Sequence, residues 1–321
     1  VNTPVTGTPA PVPVRPRRRI TGMAAVLLPL TPDGGVDHPG FEAHLERTLA
    51  AGLTPAVNMD TGFGPVLEPT ARAEVLARTR AVCEGHPFVA GVHVDHSGPL
   101  DLDAYRRGLA EVAAAGGLPI TFPSAGLAAL DDDGYVEAHR AFAAEVDALL
   151  AFELGPEFHP AGRIPSIAVF TEVMGIPQVR GCKHSSLRRD LEWERLAVRD
   201  ARRPDFLLLT GNDRAVDMVI YGSDYLLGLA TFAPDAFAAR DGAWAGGDLV
   251  RFWALNDLLA YLGQFAFRAP VPAYRHDAAM FLTLRGQLGC DRTHPSSPSR
   301  PDSDREVLAE ILARLEAALT G

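Results

Sequence analysis

Lys183 is the sole lysine of this 321-residue chain, in which every other member of the 30-strong Lys+Arg complement is arginine. Arginine supplies charge everywhere else, so position 183 asks for a property that arginine lacks. An ε-amine can shed its proton and attack a carbonyl carbon to form a Schiff base, whereas a guanidinium keeps its proton. The bland alternative is a lysine left over by chance on the surface. The setting speaks against it, because Val179-Arg180-Gly181-Cys182-Lys183-His184-Ser185 reads as a short strand with the lysine near its end.

Other polar groups fall near the ends of apolar runs. Asp60, Thr61 and Gly62 follow one run, Ser124 follows another, and Asn212 and Asp213 follow a third. Asn212 and Asp213 suit either a substrate hydroxyl or a helix cap, with the cap the better reading for both. His93, Asp95 and His96 offer imidazole and carboxylate that suit several transition metals, but two histidines three apart on a loop match no recognised ligand spacing. No metal and no cofactor is therefore expected.

The elements that must position these groups follow from periodicity. From residue 20, eight β-like runs, at 23–30, 55–59, 88–94, 118–122, 149–154, 179–183, 206–210 and 225–231, alternate with helical segments such as 41–51, 72–84, 102–115, 135–146, 167–174 and 191–200. Eight β-α units predict a (β/α)8 TIM barrel of the α/β class, which places its chemistry at strand C-termini. Three amphipathic helical segments, at 249–265, 274–288 and 305–319, predict a C-terminal helical extension. The division expected is a disordered N-terminal arm over 1–19, a barrel over 20–245 and an extension over 246–321. A doubly wound sheet is the rival, but the chain has no Gly-x-Gly-x-x-Gly, and its one lysine lies in no P-loop.

Composition limits the partners. The chain is 47% hydrophobic and 22% charged, enough for a large core, and holds no apolar run of membrane-span length. Its net charge of −10 argues against nucleic acid as a partner. Arg15 to Arg19 followed by 23–30 superficially resembles a secretion signal, but Pro29 and Pro32 interrupt the short apolar stretch. Cys83, Cys182 and Cys290 are odd in number and widely spaced, which suggests no disulfide framework and a reducing cytoplasm.

With these motifs in order, the chain resembles the dihydrodipicolinate synthase / N-acetylneuraminate lyase superfamily of class I aldolases over about residues 20–288. The markers are Gly22, Leu30-Thr31-Pro32, Thr61-Gly62, Phe122-Pro123, Gly181-Cys182-Lys183-His184-Ser185-Ser186 and Gly211-Asn212-Asp213. The resemblance implies that Lys183 is the Schiff-base lysine of a lyase acting on a small carbonyl compound, and that the protein self-associates as a dimer or tetramer. It implies that Asp60, Thr61, Gly62, Ser124, His184 and Asn212 contact substrate.

Departures from the family pattern narrow that expectation. Where relatives carry hydroxyl residues that hold a 2-oxo acid's carboxylate, this chain has Asp60. Two carboxylates ~4 Å apart repel by about 4 kcal/mol at an effective dielectric of 20, or roughly three orders of magnitude in affinity. The relay tyrosine of the family's Tyr-x-x-Pro aligns with Glu153, either an acid–base group or an ion-pair partner, and Pro-Tyr-Tyr becomes Pro123-Ser124-Ala125. A standard dihydrodipicolinate synthase or sialic acid lyase is therefore not expected. The alternatives are a non-catalytic ligand-binding relative, or a metal-dependent lyase or hydrolase using His93, Asp95 and His96.

Overall fold

The computed structural model describes residues 11–94, 98–159 and 161–320. Eight parallel strands close into a barrel in sequence order: β1 Gly22–Ala25, β2 Thr54–Val57, β3 Val89–Val92, β4 Leu118–Thr121, β5 Leu149–Leu154, β6 Val179–Ser185, β7 Leu207–Thr210 and β8 Asp224–Leu227, with β8 pairing back to β1. Between them run helices α1 His38–Ala50, α2 Pro69–Val82, α3 Leu102–Ala114, α4 Ala125–Ala128, α5 Asp132–Ala143, α6 Ile167–Met174, α7 Arg189–Arg202 and, after β8, α8 Pro234–Gly246. The extension is α9 Leu249–Ala266, α10 Tyr274–Leu284 and α11 Asp304–Thr320. This is the (β/α)8 barrel with a helical extension that the sequence predicts. The helices α4 and α8 lie outside the predicted segments.

Strand alternation divides the core in two. Met23, Ala25, Ala56, Val89, Ile120, Leu150, Phe152, Leu209 and Leu226 fill the barrel interior. Their neighbours Ala24, Val57, Ala90, Leu149, Ala151, Leu208 and Leu227 face outward against the helices. The first and last apolar runs are longer than their strands. Pairing stops at Ala25 and Leu227, after which Leu229–Thr231 winds into a 3-10 turn against the start of the chain, with Leu27 N–H donating to Thr231 Oγ1 at 2.9 Å.

Short polar side chains start the helices. Asp37, Asp101, Ser124, Asp131, Ser166 and Asp248 each accept a backbone N–H from the first turn of the following helix. Ser124 is thus a cap on α4, with its Oγ 3.2 Å from Leu127 N.

Residues 1–10 of the arm predicted over 1–19 lie outside the described residues. The rest of it is bound to the barrel at the N-terminal end of the strands. Arg18 pairs with Asp224 at 2.8 Å, Arg15 pairs with Asp200, and Trp244 Nε1 donates to Arg15 O at 3.1 Å. Arginine side chains reaching backbone carbonyls and carboxylates tie down a segment that has no apolar period of its own.

Candidate active site

The site is built at the C-terminal end of β5 and β6. Cross-strand register pairs Phe152 with Lys183 and Lys183 with Leu209. Phe152 and Leu209 belong to the interior, so Lys183 points into the barrel mouth. Its partly buried amine lies 4.6 Å from the centre of the Phe152 ring. β6 runs to Ser185, two residues past the predicted strand, and puts Ser185 on the same inner face. Gly211 gives both side chains room, since a Cβ there would lie 2.0 Å from Ser185 Oγ and 2.8 Å from Lys183 Cε.

Lys183, Ser185, Asp60, Thr61, Asp213 and Tyr274 line one cavity of about 350 Å³ together with an apolar wall. A wider groove of about 690 Å³ lies at the other end of β6, where Pro177 and Gln178 enter the strand, and has no part in this chemistry. Burial lowers the Lys183 amine below the ordinary lysine value, opposed by the carboxylates of Asp213 and Asp60. Asp213 shifts the other way: burial pushes it up to about 7, against the pull of Leu229 N–H, which donates to Oδ1 at 2.7 Å, and of Lys183. When Asp213 holds its proton, Lys183 loses a counter-charge. Burial thus works against the charged form of both groups.

Tyr274 and Arg275 come from the first turn of α10. The Tyr274 hydroxyl lies 2.8 Å from Thr61 Oγ1 and donates to Asp60 Oδ2 at 3.3 Å. Its ring stacks on Phe267 at 4.2 Å between centroids, and the close approach of Thr61, Tyr274 and Phe267 is possible because Gly228 has no side chain. Burial raises the Tyr274 phenol well above its ordinary range, so it stays protonated. Arg275 is ion-paired to Asp60. Burial would raise the Asp60 carboxyl, but Arg275 more than offsets this and holds it below the ordinary range. Asp60 is thus an ionised group at the half-open mouth with a cation beside it, so the repulsion expected between it and an anionic ligand is reduced.

Glu153 is not at this site, and its expected role as an acid or base is corrected. The register that turns Phe152 and Lys183 inward pairs Glu153 with His184 and turns both outward. Glu153 Oε2 accepts from Arg195 Nε on α7 and lies beside His184 Nδ1, both at 2.6 Å, while His184 Nε2 lies 3.0 Å from Ser186 Oγ. Burial would raise the Glu153 carboxyl, but Arg195 and His184 more than offset it, which leaves a fixed carboxylate. His184 is likewise outside the cavity.

The remaining expected contacts divide similarly. Asp60 and Thr61 line the cavity; Gly62, Ser124 and Asn212 do not. Gly62 is packed under the mouth, where a Cβ would meet Val26 O at 2.9 Å, and Asn212 Oδ1 accepts Arg214 N–H at 3.1 Å as a turn cap. Asp213, one residue on, takes the cavity position instead. Of the histidine group, Asp95 and His96 lie outside the described residues, while His93 Nε2 sits 2.7 Å from Asn58 O. Among the described residues no three His, Cys, Asp or Glu side chains are grouped as a metal site. Nor is any described helix long and apolar enough to cross a membrane.

Fold and pocket together define a (β/α)8 barrel with a lysine-centred cavity at the strand C-termini. No family model matches the chain, and no curated protein matches it. Solved structures do match. A prophage protein of the dihydrodipicolinic acid synthase family from E. coli K12, in complex with pyruvate, is 17% identical with a TM-score of 0.80, over 92% of this chain and 98% of that one. Dihydrodipicolinate synthase from Bacteroides thetaiotaomicron is 16% identical with a TM-score of 0.79, over 94% and 99%. Wild-type sialic acid aldolase from Ruminococcus gnavus is 17% identical with a TM-score of 0.77, over 94% and 98%. The chain shares the fold of these proteins over more than nine tenths of its length.

Proposed function

We propose that the protein is a divergent lyase of the dihydrodipicolinate synthase / N-acetylneuraminate lyase superfamily, which forms a Schiff base between Lys183 and a small carbonyl compound. The observation that carries this reading is the placement of the chain's one lysine inside the barrel mouth, with a lowered amine pKa and with Asp213 near 7 beside it.

In this reading the neutral Lys183 Nζ attacks the carbonyl carbon, the C=O electron pair moves to oxygen, and transfer of a proton from that nitrogen to the oxygen gives a carbinolamine. Loss of water, with Asp213 or Tyr274 donating the proton that the departing oxygen needs, leaves an iminium. Where a C–O bond breaks, the iminium acidifies the neighbouring C–H, the Asp213 carboxylate takes that proton, and the enamine so formed expels the oxygen with its electron pair. Where a C–C bond breaks, the iminium draws in the electron pair of that bond while the Asp213 carboxylate takes the proton of the leaving fragment's hydroxyl, whose oxygen becomes a carbonyl, giving an enamine. Reprotonation at carbon and hydrolysis then return the amine. Asp213, with a pKa close to neutrality, suits repeated proton transfer; Tyr274 is a weaker acid that donates a hydrogen bond and relays through Thr61.

Reductive trapping tests the proposal. Borohydride added with a panel of carbonyl compounds should fix the mass of a reduced adduct on the Lys183 peptide, with no second lysine to confuse the assignment. A panel that leaves Lys183 unmodified throughout, while the N-terminal amine is labelled, would overturn it.

A further inference from the structure

Building on the Schiff-base reading, we infer that the substrate is uncharged beside its carbonyl and carries an apolar body, and that Asp60 is the residue that turns 2-oxo acids away. A carboxylate next to the reacting carbon must be received by cations or hydrogen-bond donors, because an unpaired desolvated anion is costly. The side chains beside Asp60 that could receive it are already engaged. Arg275 is held by Asp60. The hydroxyls of Thr61 and Tyr274 are bonded to each other, and Tyr274 also reaches Asp60. After β2, the amides of Gly62 and Gly64 donate to Met59 O at 3.1 and 2.9 Å, and that of Phe63 donates to Asp60 O at 3.0 Å.

The protein's own carboxylate thus sits in the place where this corner of the cavity would hold a substrate's. A 2-oxo acid gains Arg275 only by displacing Asp60, which exchanges one ion pair for another. Much of the rest of the wall is apolar: Met59, Phe122, Phe152, Leu154, Phe158 and Val271 face a cavity of about 350 Å³, with Ser185, Glu157 and His159 as further polar lining. That is the size and lining of a pocket for a compact organic molecule with an apolar group.

The test compares two ketones on the full chain, 4-phenylbutan-2-one and pyruvate, at equal concentration with cyanoborohydride. The imine carbon takes a hydride from the reductant and the nitrogen keeps the lysine as a secondary amine, read by mass on the Lys183 peptide. Labelling of the N-terminal amine in the same sample corrects for each ketone's intrinsic reactivity. After that correction 4-phenylbutan-2-one should label Lys183 at least about tenfold faster than pyruvate, the scale of one unmade charge-assisted hydrogen bond. Asp60→Asn releases Arg275 and should raise pyruvate labelling by a similar factor. Pyruvate labelling equal to or faster than that of the neutral ketone overturns the inference and leaves the Schiff base standing. Pyruvate labelling unchanged by Asp60→Asn removes Asp60 as the selector. Failure of both ketones to label Lys183 overturns this substrate class, and failure of the whole carbonyl panel overturns the Schiff-base reading as well.

Discussion

Tyr274 and Thr61 stand 213 positions apart in sequence and share a 2.8 Å hydrogen bond across the barrel mouth. The contact makes the C-terminal extension part of the site. It supplies a protonated phenol to the cavity, whereas Glu153 and Ser124 lie outside it. Tyr274→Phe keeps the ring on Phe267 and removes only the hydroxyl. Turnover should fall by about a hundredfold or more, the scale of a lost proton donor, while the melting temperature changes little. Full turnover in that variant would show that Tyr274 only packs.

Asp213 provides a pH signature. Its folded pKa of about 7 lies above the ordinary carboxylate value, so the folded state holds a proton that the unfolded state has released between those two values. Stability from this group is therefore greatest below the ordinary carboxylate range and is lost as pH rises towards 7. Asp213→Asn keeps an acceptor for Leu229 N–H and abolishes the titration. Its melting temperature should exceed the parent's by more at pH 8 than at pH 5, and its turnover should collapse. An equal difference at both pH values would contradict the shift.

Glu153 should behave as a structural residue. Glu153→Ala strands Arg195 in the interior without its carboxylate, which should cost about 3–5 kcal/mol, readable by urea unfolding. Adduct formation on Lys183 in the remaining folded protein should persist. Unchanged stability with lost adduct formation would restore the acid–base role.

Lys183→Arg retains the charge and much of the bulk at the mouth but cannot form an imine. It should leave the circular dichroism spectrum intact and abolish turnover on any substrate the trapping panel identifies. Retained turnover would reduce Lys183 to a charge.

The barrel was legible because each strand is a buried apolar run bounded by polar turns and separated from the next by a helical period. Lys183 was legible for a different reason, its chemical singularity among arginines. Which neighbours join it depends on alternation near strand ends, where one residue decides the side. Glu153 follows Phe152 and so faces α7, while Lys183 shares the register of Phe152. Asp213 rather than Asn212 reaches the cavity because the chain turns after β7, and Asn212 is used to cap that turn. Tyr274 and Arg275 were out of reach of any local pattern. Their only trace in sequence is the polar stretch Tyr274-Arg275-His276-Asp277 that opens a helix after the prolines at 270 and 272, and their partners Asp60 and Thr61 lie more than two hundred residues away.

The most direct measurement uses the fact that the chain has one lysine. Protein grown on lysine carrying 13C at Cε shows a single labelled lysine resonance, whose shift reports the charge of the Lys183 amine as pH is varied. Its titration midpoint should lie below the ordinary lysine value of about 10.4, because burial disfavours the charged amine more than Asp213 and Asp60 favour it. A midpoint at or above that value would mean that Lys183 is held as a fixed cation, which contradicts its role as the nucleophile.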